Sequence, residues 1–339
     1  MDSIIKPPAI SVIMPVYNAG AFLKESIDSI LLQSFTNFEF FIIDDASTDN
    51  SVEIIQLYTD KRIRFIQKPV NTGYTDSLNL AIPMAKGGYI ARMDADDIAL
   101  PQRFQQQFQY MEDHPDTLVL GTAYKIIGTD NMIQLPLSCG EAKVVSIMNV
   151  PVAHPTVMMR KEIFSEYQFL YNKKYEPAED YDLWTRVQEI GLIENLPEPL
   201  LYYRQHSTQQ SVSRYDGLLE AAVEIRLRQL NKLISFQDKP YDILFAIDTL
   251  TQQPVLVNGA GMKKLALLIA DMMEGNRINK VYDETILAGY LKEQWQFYIL
   301  KFTEPAFKDI SLLYTMRRSA VTRMDSLFNL KYLVKCFRF

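Results

Sequence analysis

The first hundred residues alternate short apolar runs with amphipathic stretches. Ile10–Met14 is apolar and largely β-branched and stops at Pro15, which predicts a buried strand. Ala21–Leu32 follows with helical spacing, placing Phe22, Leu23, Ile27, Ile30 and Leu31 on one face. Phe38–Ile43 predicts a second buried strand, halted by the polar cluster Asp44-Asp45-Ala46-Ser47-Thr48-Asp49. Asp49 or Asn50 is suited to cap a helix over Ser51–Tyr58. Ile63–Ile66 predicts a third strand. Thr75–Met84 predicts a helix with Leu78, Leu80, Ala81 and Met84 as its apolar positions. Tyr89–Met93 is a fourth strand and runs into Asp94-Ala95-Asp96-Asp97. Such alternation implies parallel strands with right-handed crossovers and helices on both faces.

Past residue 100 the pattern loosens. Gln102–Met111 and Tyr181–Ile190 have helical spacing, while Thr117–Leu120, Tyr124–Ile127, Val157–Met159 and Leu200–Arg204 have the composition of strands. From Tyr215 onward nearly everything is helical in pattern, near 216–234, 261–274, 283–301 and 309–335. The chain of 339 residues therefore divides into an α/β domain over 1–214 and a helical domain over 215–339.

Composition narrows the class. Hydrophobic residues make up 48% and charged residues 22%, values of an ordinary folded protein. No apolar run approaches the roughly 18 to 20 residues of a membrane helix, and Met1–Lys6 lacks the basic start of a secretory signal. Cys139 and Cys336 make no metal or redox spacing. The expectation is a cytoplasmic protein. A net charge of −6 argues against a nucleic-acid partner for the whole chain. Residues 311–339 nonetheless carry a net +5 and the rest −11. Lys331, Lys335 and Arg338 flank an apolar stripe of Leu330, Leu333, Val334 and Phe337. Such a helix suits an anionic membrane surface, a protein partner or a solvated face, and a homo-oligomer is equally compatible.

Ligands of an open parallel sheet bind beyond the carboxyl ends of its strands. Three strand ends here deliver polar groups: Pro15-Val16-Tyr17-Asn18, Asp44-Asp45 and Asp94-Ala95-Asp96-Asp97. Neither G-x-G-x-x-G nor G-x-x-x-x-G-K-[ST] is present, so no glycine-rich loop cradles a phosphate. Asp94-x-Asp96 offers carboxylates to a hard cation, Mn2+ or Mg2+. A solvated acidic turn, with Asp97 capping the next helix, is the alternative at those four residues. Glu179-Asp180 opens a helix; it supplies either a general base or charges that favour the helix N-terminus.

These segments, with Asn71-Thr72-Gly73, occur in an order and spacing that resembles the family 2 inverting glycosyltransferases, over roughly residues 9–213. The resemblance implies the GT-A fold, a doubly wound, mixed but mainly parallel sheet that binds a nucleoside-diphosphate sugar. It implies that Tyr17 packs on the donor base beside Pro15 and Asn18. Asp44 accepts the uracil N3–H, Asn71 contacts the nucleotide and Asp94 the ribose or sugar. Asp96 is implied as metal ligand with His206 joining it, while Arg204 neutralises diphosphate charge. It makes Asp180 the base and gives Glu179 the acceptor or the loop to hold. His154 falls near the acceptor, Asp182 is a weaker candidate for the base, and His114 is a surface residue. The implied setting is bacterial polysaccharide or glycolipid assembly at the inner face of the cell membrane, with a glycan or lipid-linked acceptor. Two other activities use similar residues: a sugar nucleotidyltransferase, which wants a basic glycine-rich loop that Pro15–Gly20 lacks, and a non-catalytic nucleotide-sugar-binding subunit.

Overall fold

The computed structural model describes residues 7–206, 215–252 and 259–301. The expected basic helix at 309–335 and the serines after His206 lie outside these residues. The chain divides into two compact units, Met1–Ala142 with Val150–Ala222, and Lys143–Asn149 with Val223–Phe339.

In the first unit the order is β1 (Ile10–Val16), α1 (Leu23–Leu31), β2 (Phe38–Asp44), α2 (Ser51–Gln56), β3 (Ile63–Gln67), α3 (Tyr74–Ala81), β4 (Tyr89–Arg92), β5 (Ile98–Ala99) and α4 (Arg103–Asp113). Then come β6 (Thr117–Ile126), β7 (Met132–Ile133), β8 (Met158–Arg160), α6 (Glu162–Ser165), α7 (Glu179–Val187) and β9 (Leu192–Tyr203); between β7 and β8, α5 (Cys139–Val145) runs from the first unit into the second. Among the described residues nine strands form one sheet, in the order β3-β2-β1-β4-β8-β6-β9-β5 with β7 paired to β6. β3, β2, β1 and β4 are parallel, while β8 runs antiparallel to both β4 and β6. This is the mixed, mainly parallel α/β sheet with helices that the sequence predicts.

Alternation along the strands explains its two-sided burial. Val12, Met14, Phe40 and Ile42 meet Leu23, Ile27 and Ile30 of α1 and Phe104 of α4 in one apolar cluster. Ile13, Phe41 and Ile43 meet Leu78 of α3 and Leu183 and Trp184 of α7 in another. Successive side chains point to opposite faces, so β2 is buried along its whole length and reads as a continuous apolar run.

Several local expectations change. The strands expected at Thr117–Leu120 and Tyr124–Ile127 are one ten-residue strand, because Gly121 and Thr122 stay in register with β9. Of the four apolar positions expected in the third helix, Leu80 and Met84 are exposed, and Leu78 and Ala81 enter the core, joined by Ile82. Asn50 makes no capping bond, since Asp49 instead accepts from the Ser51 amide at 3.0 Å.

α8 (Tyr215–Leu230) passes from the first unit into the second after Ala222, and the second unit also holds α9 (Ile243–Leu250), α10 (Gly259–Asn279) and α11 (Glu284–Lys301). Its core includes Leu230, Leu233, Leu268, Ile269, Met272, Leu291 and Trp295, joined by Val144, Ile147 and Met148 from the short segment at 143–149. That segment falls inside the range 1–214 yet belongs to this unit.

Candidate active site

Parallel pairing of Val16 with Asp44, and of Asp44 with Gln67, aligns the carboxyl ends of β1, β2 and β3. Asn18, held at φ 50°, accepts from the Thr48 amide at 2.8 Å, and its own amide donates to Ser47 Oγ at 3.0 Å. The loops after β1 and β2 are thereby tied together. Asp44 is buried, its two oxygens 3.3 and 3.2 Å from the Ser47 amide. Tyr17 stands 49% exposed beside them, a free apolar face at the rim of a polar cluster. Pro15 lies within β1, paired with Ile43.

Asp45, buried next to Asp44, shapes the loop after β3. It accepts from the amides of Thr72 and Gly73 at 3.0 and 2.8 Å and pairs with Lys68 at 2.5 Å. Asn71 closes the same turn by accepting from the Gly73 amide at 3.2 Å and is exposed. Gly73 itself has φ 97° and ψ 156°, a conformation essentially reserved for glycine.

After β4 the acidic run gathers. Carboxylate oxygens of Asp94, Asp96 and Asp97 all lie within 4.8 Å of one another. Arg92, almost buried within β4, forms an ion pair with Asp94. His206 Nε2 is 2.8 Å from Asp96 Oδ2. Asp97 does not cap the next helix: its Oδ1 accepts from the Arg204 amide at 2.9 Å, and its Oδ2 is buried without a hydrogen bond. Burial first, then the charges of Asp94 and Asp96, push the Asp97 carboxyl well above the usual carboxylate range. An orphaned buried oxygen among clustered carboxylates, with an imidazole alongside, fits the hard oxygen-rich donor set of Mg2+ or Mn2+. Arg204 fastens this corner, donating from Nε to the Asp96 carbonyl at 2.8 Å and from Nη2 to Glu25 at 2.5 Å, with its guanidinium over Phe22.

Beneath the cluster Arg103 is fully buried. It donates to the carbonyls of Arg92 and Val157 at 2.8 and 3.2 Å and to Gln107 at 3.2 Å. Burial and the neighbouring Arg92 pull its guanidinium down to about 9, against the attraction of Asp97 and Asp94.

The α7 pair meets the start of α3. Glu179 is buried and its carboxyl is pushed up to about 8, mainly by burial and then by the charge of Asp180. Tyr74 Oη donates to Glu179 Oε2 at 2.5 Å, and His154 Nδ1 lies 3.9 Å from Oε1. Asp180 keeps part of its surface open and accepts from the Tyr181 amide at 2.6 Å. Burial raises it to about 6, against the pull of Arg92 and with Asp94 adding to the rise. Asp182 is engaged elsewhere, in a pair with Arg186 at 2.9 Å. His154 is buried, 2.9 Å from Tyr171 Oη, and burial holds it well below the usual imidazole range. His114 ends α4 and stacks on Tyr110, away from these groups.

The residues expected from sequence thus fall into a β1–β2–β3 rim, an acidic corner with His206 and Arg204, and the α7 pair. Arg92, ion-paired with Asp94, also draws the Glu179 and Asp180 carboxyls downward, against the effect of burial. Tyr74, Arg92 and Arg103 are not among the residues that the sequence patterns single out. For Arg92 a signal exists, an arginine inside an apolar strand two residues before Asp94. Tyr74 and Arg103 carry none, because the contacts that define them join distant segments.

Residues 11–168 match the family described as glycosyl transferase family 2. The chain is 34% identical over 218 residues to an uncharacterized glycosyltransferase of Haemophilus influenzae, covering 60% of this chain and 68% of the relative. It is 36% identical over 220 residues to the Escherichia coli O-antigen biosynthesis glycosyltransferase WbnJ, covering 61% and 84%. Among solved structures, residues 1–349 of S. aureus TarS in complex with UDP-GlcNAc superpose with a TM-score of 0.57 at 17% identity, covering 85% of this chain and 89% of that one. The Pyrobaculum calidifontis mannosyltransferase PcManGT, in complex with GDP-Man and Mn2+, gives 0.51 at 14% identity, covering 97% and 86%. At these identities the structural likeness is one of fold.

Proposed function

The chain belongs to glycosyl transferase family 2, and we propose that it moves a sugar with inversion from a nucleoside-diphosphate sugar, a UDP-sugar, to a hydroxyl of a glycan or lipid-linked acceptor. One observation carries this reading: oxygens of Asp94, Asp96 and Asp97 gather within 4.8 Å of one another after β4, while a partly exposed carboxylate, Asp180, stands in the first turn of α7.

Asp180 takes the proton of the acceptor hydroxyl. The acceptor oxygen forms its bond to the anomeric carbon as the bond from that carbon to the diphosphate oxygen breaks, on the opposite face. Burial suits Asp180 to this step, since a carboxylate raised to about 6 is a stronger base than an exposed one yet stays ionised near neutrality. Asp96 and His206 would hold a divalent cation with Asp94 beside them; such an ion supplies positive charge to the departing diphosphate. Tyr17 offers its exposed ring to the base, Asp44 an acceptor to uracil N3–H, and Asn71 and Asn18 polar edges at the same rim. Arg204 positions the corner by gripping the Asp96 carbonyl and Glu25. Polysaccharide assembly is the setting that relatives such as WbnJ suggest.

Calorimetry with UDP, GDP, CDP and dTDP, each with and without Mn2+, tests this. Binding of UDP that requires Mn2+ and is lost in Asp96→Ala is expected. A preference for GDP would transfer the reading to a GDP-sugar, and no binding to any of the four would overturn the donor site.

A further inference from the structure

The loop that would receive the nucleotide and the segment that bears the base are fastened together at three points. Lys173 Nζ donates to the Thr72 carbonyl at 2.7 Å and to Asp76 at 2.5 Å. A Cβ at Gly73 would stand 3.2 Å from Glu176 Oε2, so the backbone of the loop abuts that side chain. Tyr74 Oη reaches Glu179 at 2.5 Å, across 105 residues of sequence.

The third contact differs from the others because Glu179 is the immediate neighbour of the base. Of the two adjacent carboxylates, one is drawn inward between the Tyr74 hydroxyl and the His154 ring, and the other is left partly open. At the start of a helix such neighbours point about 100° apart, so fixing the first fixes the direction of the second. Tyr74 is in turn the first residue of α3, directly after Gly73, whose amide is clamped by Asp45. A continuous path of contacts therefore runs from the carboxyl end of β2, through Asp45 and Gly73, to Tyr74 and on to Glu179.

We infer that Tyr74 is a positioning residue that couples occupancy of the nucleotide loop at 71–73 to the placement of Asp180. The inference rests on the donor-site reading above. When the loop is held by a nucleotide, the start of α3 is held with it, and the hydroxyl of Tyr74 orders the first turn of α7. Empty, the loop leaves that turn freer. The base is then in place when a donor is present, which disfavours stray deprotonation without one.

Hydrogen–deuterium exchange on the full chain tests this with UDP and Mn2+ as the probe. Wild type is expected to slow exchange on binding in peptides over both 71–77 and 176–184, by roughly fivefold or more in the second, the lower end of couplings between linked sites. Tyr74→Phe, which removes only the hydroxyl, should keep the protection at 71–77 and lose it at 176–184. Glu179→Gln retains an oxygen to accept from Tyr74 and should keep both. Glu179→Leu breaks the same bond from the other side and serves if Tyr74→Phe does not melt cooperatively. Protection at 176–184 that persists in Tyr74→Phe or Glu179→Leu overturns the role of the hydroxyl. Protection confined to 71–77 in wild type overturns the coupling while leaving the donor site intact. Failure of UDP, GDP, CDP and dTDP alike to bind is separately visible, and removes the reading on which the coupling stands.

Discussion

At the residue scale, Glu179 and Asp180 divide two tasks that neighbouring acids would otherwise share. Asp180, raised to about 6 chiefly by burial, is ionised only above that pH. Turnover should therefore fall about tenfold per unit below pH 6 in a rate profile from pH 4.5 to 8. An acid limb near the ordinary 3.8 would deny that this buried carboxylate is the base. Asp180→Asn should cost roughly 10²- to 10⁴-fold in rate with nucleotide affinity retained. Glu179 makes the complementary prediction for stability. Its folded carboxyl is raised from 4.5 to about 8, so the folded state binds the proton more tightly than the unfolded chain. That stability is fully present below pH 4.5 and is lost as pH rises through 8. Glu179→Gln should flatten the fall in melting temperature between pH 5 and pH 9, at roughly 2–4 °C per kcal/mol for a domain of this size. An unchanged slope would place the titration elsewhere. The acids themselves are legible in the sequence as Asp94-x-Asp96 and Glu179-Asp180. The surroundings of Glu179 are not, since Tyr74 and His154 reach it only through the folded sheet.

Elements explain which parts of the site can be read in advance. β2 ends in Asp44, and β1 and β4 stop two residues before Asn18 and Asp94, so the strand and the chemistry at its tip share one signal. α5, β5 and β7 are short, and two-residue strands have no period to detect. Leu80 and Met84 illustrate the opposite error: their spacing is helical, but both are exposed, and α3 ends at Ala81 with Thr75, Ser77, Leu78 and Ala81 buried. The loop into α3 depends on Gly73, whose dihedrals only glycine tolerates and whose missing Cβ leaves room for Glu176. Gly73→Ala should cost about 1–3 kcal/mol of stability and weaken nucleotide binding with it. Asn71→Ala, at the exposed tip of the same turn, should leave stability close to wild type. Chemical denaturation and calorimetry on both variants measure this; an Ala at 73 with wild-type stability would show that the turn is not held as described.

At the scale of the whole molecule, the chain passes between its two units at 142/143, at 149/150 and at 222/223. Asn195 accompanies the first excursion: its amide donates to the carbonyls of Pro136 and Pro151 at 2.7 and 3.0 Å, pinning the strand-side ends of the segment that contains α5. Val144, Ile147 and Met148 complete the helical core, and each such side chain contributes roughly 1.5–3 kcal/mol when fully buried. A chain ending at Ala222 should therefore bind a hydrophobic dye and self-associate, and serines at 144, 147 and 148 should reverse both. A monodisperse, dye-silent product of the unaltered truncation would contradict the shared core. The same interleaving sets an order of events on the ribosome. Met148 is synthesised about 80 to 150 residues ahead of Leu230 and Trp295, a delay of roughly 4 to 30 s at ordinary elongation rates. During that interval the sheet can close around Asn195 while three apolar side chains wait uncovered, so the nascent chain offers chaperones a hydrophobic segment at 144–148 until α8 to α11 emerge.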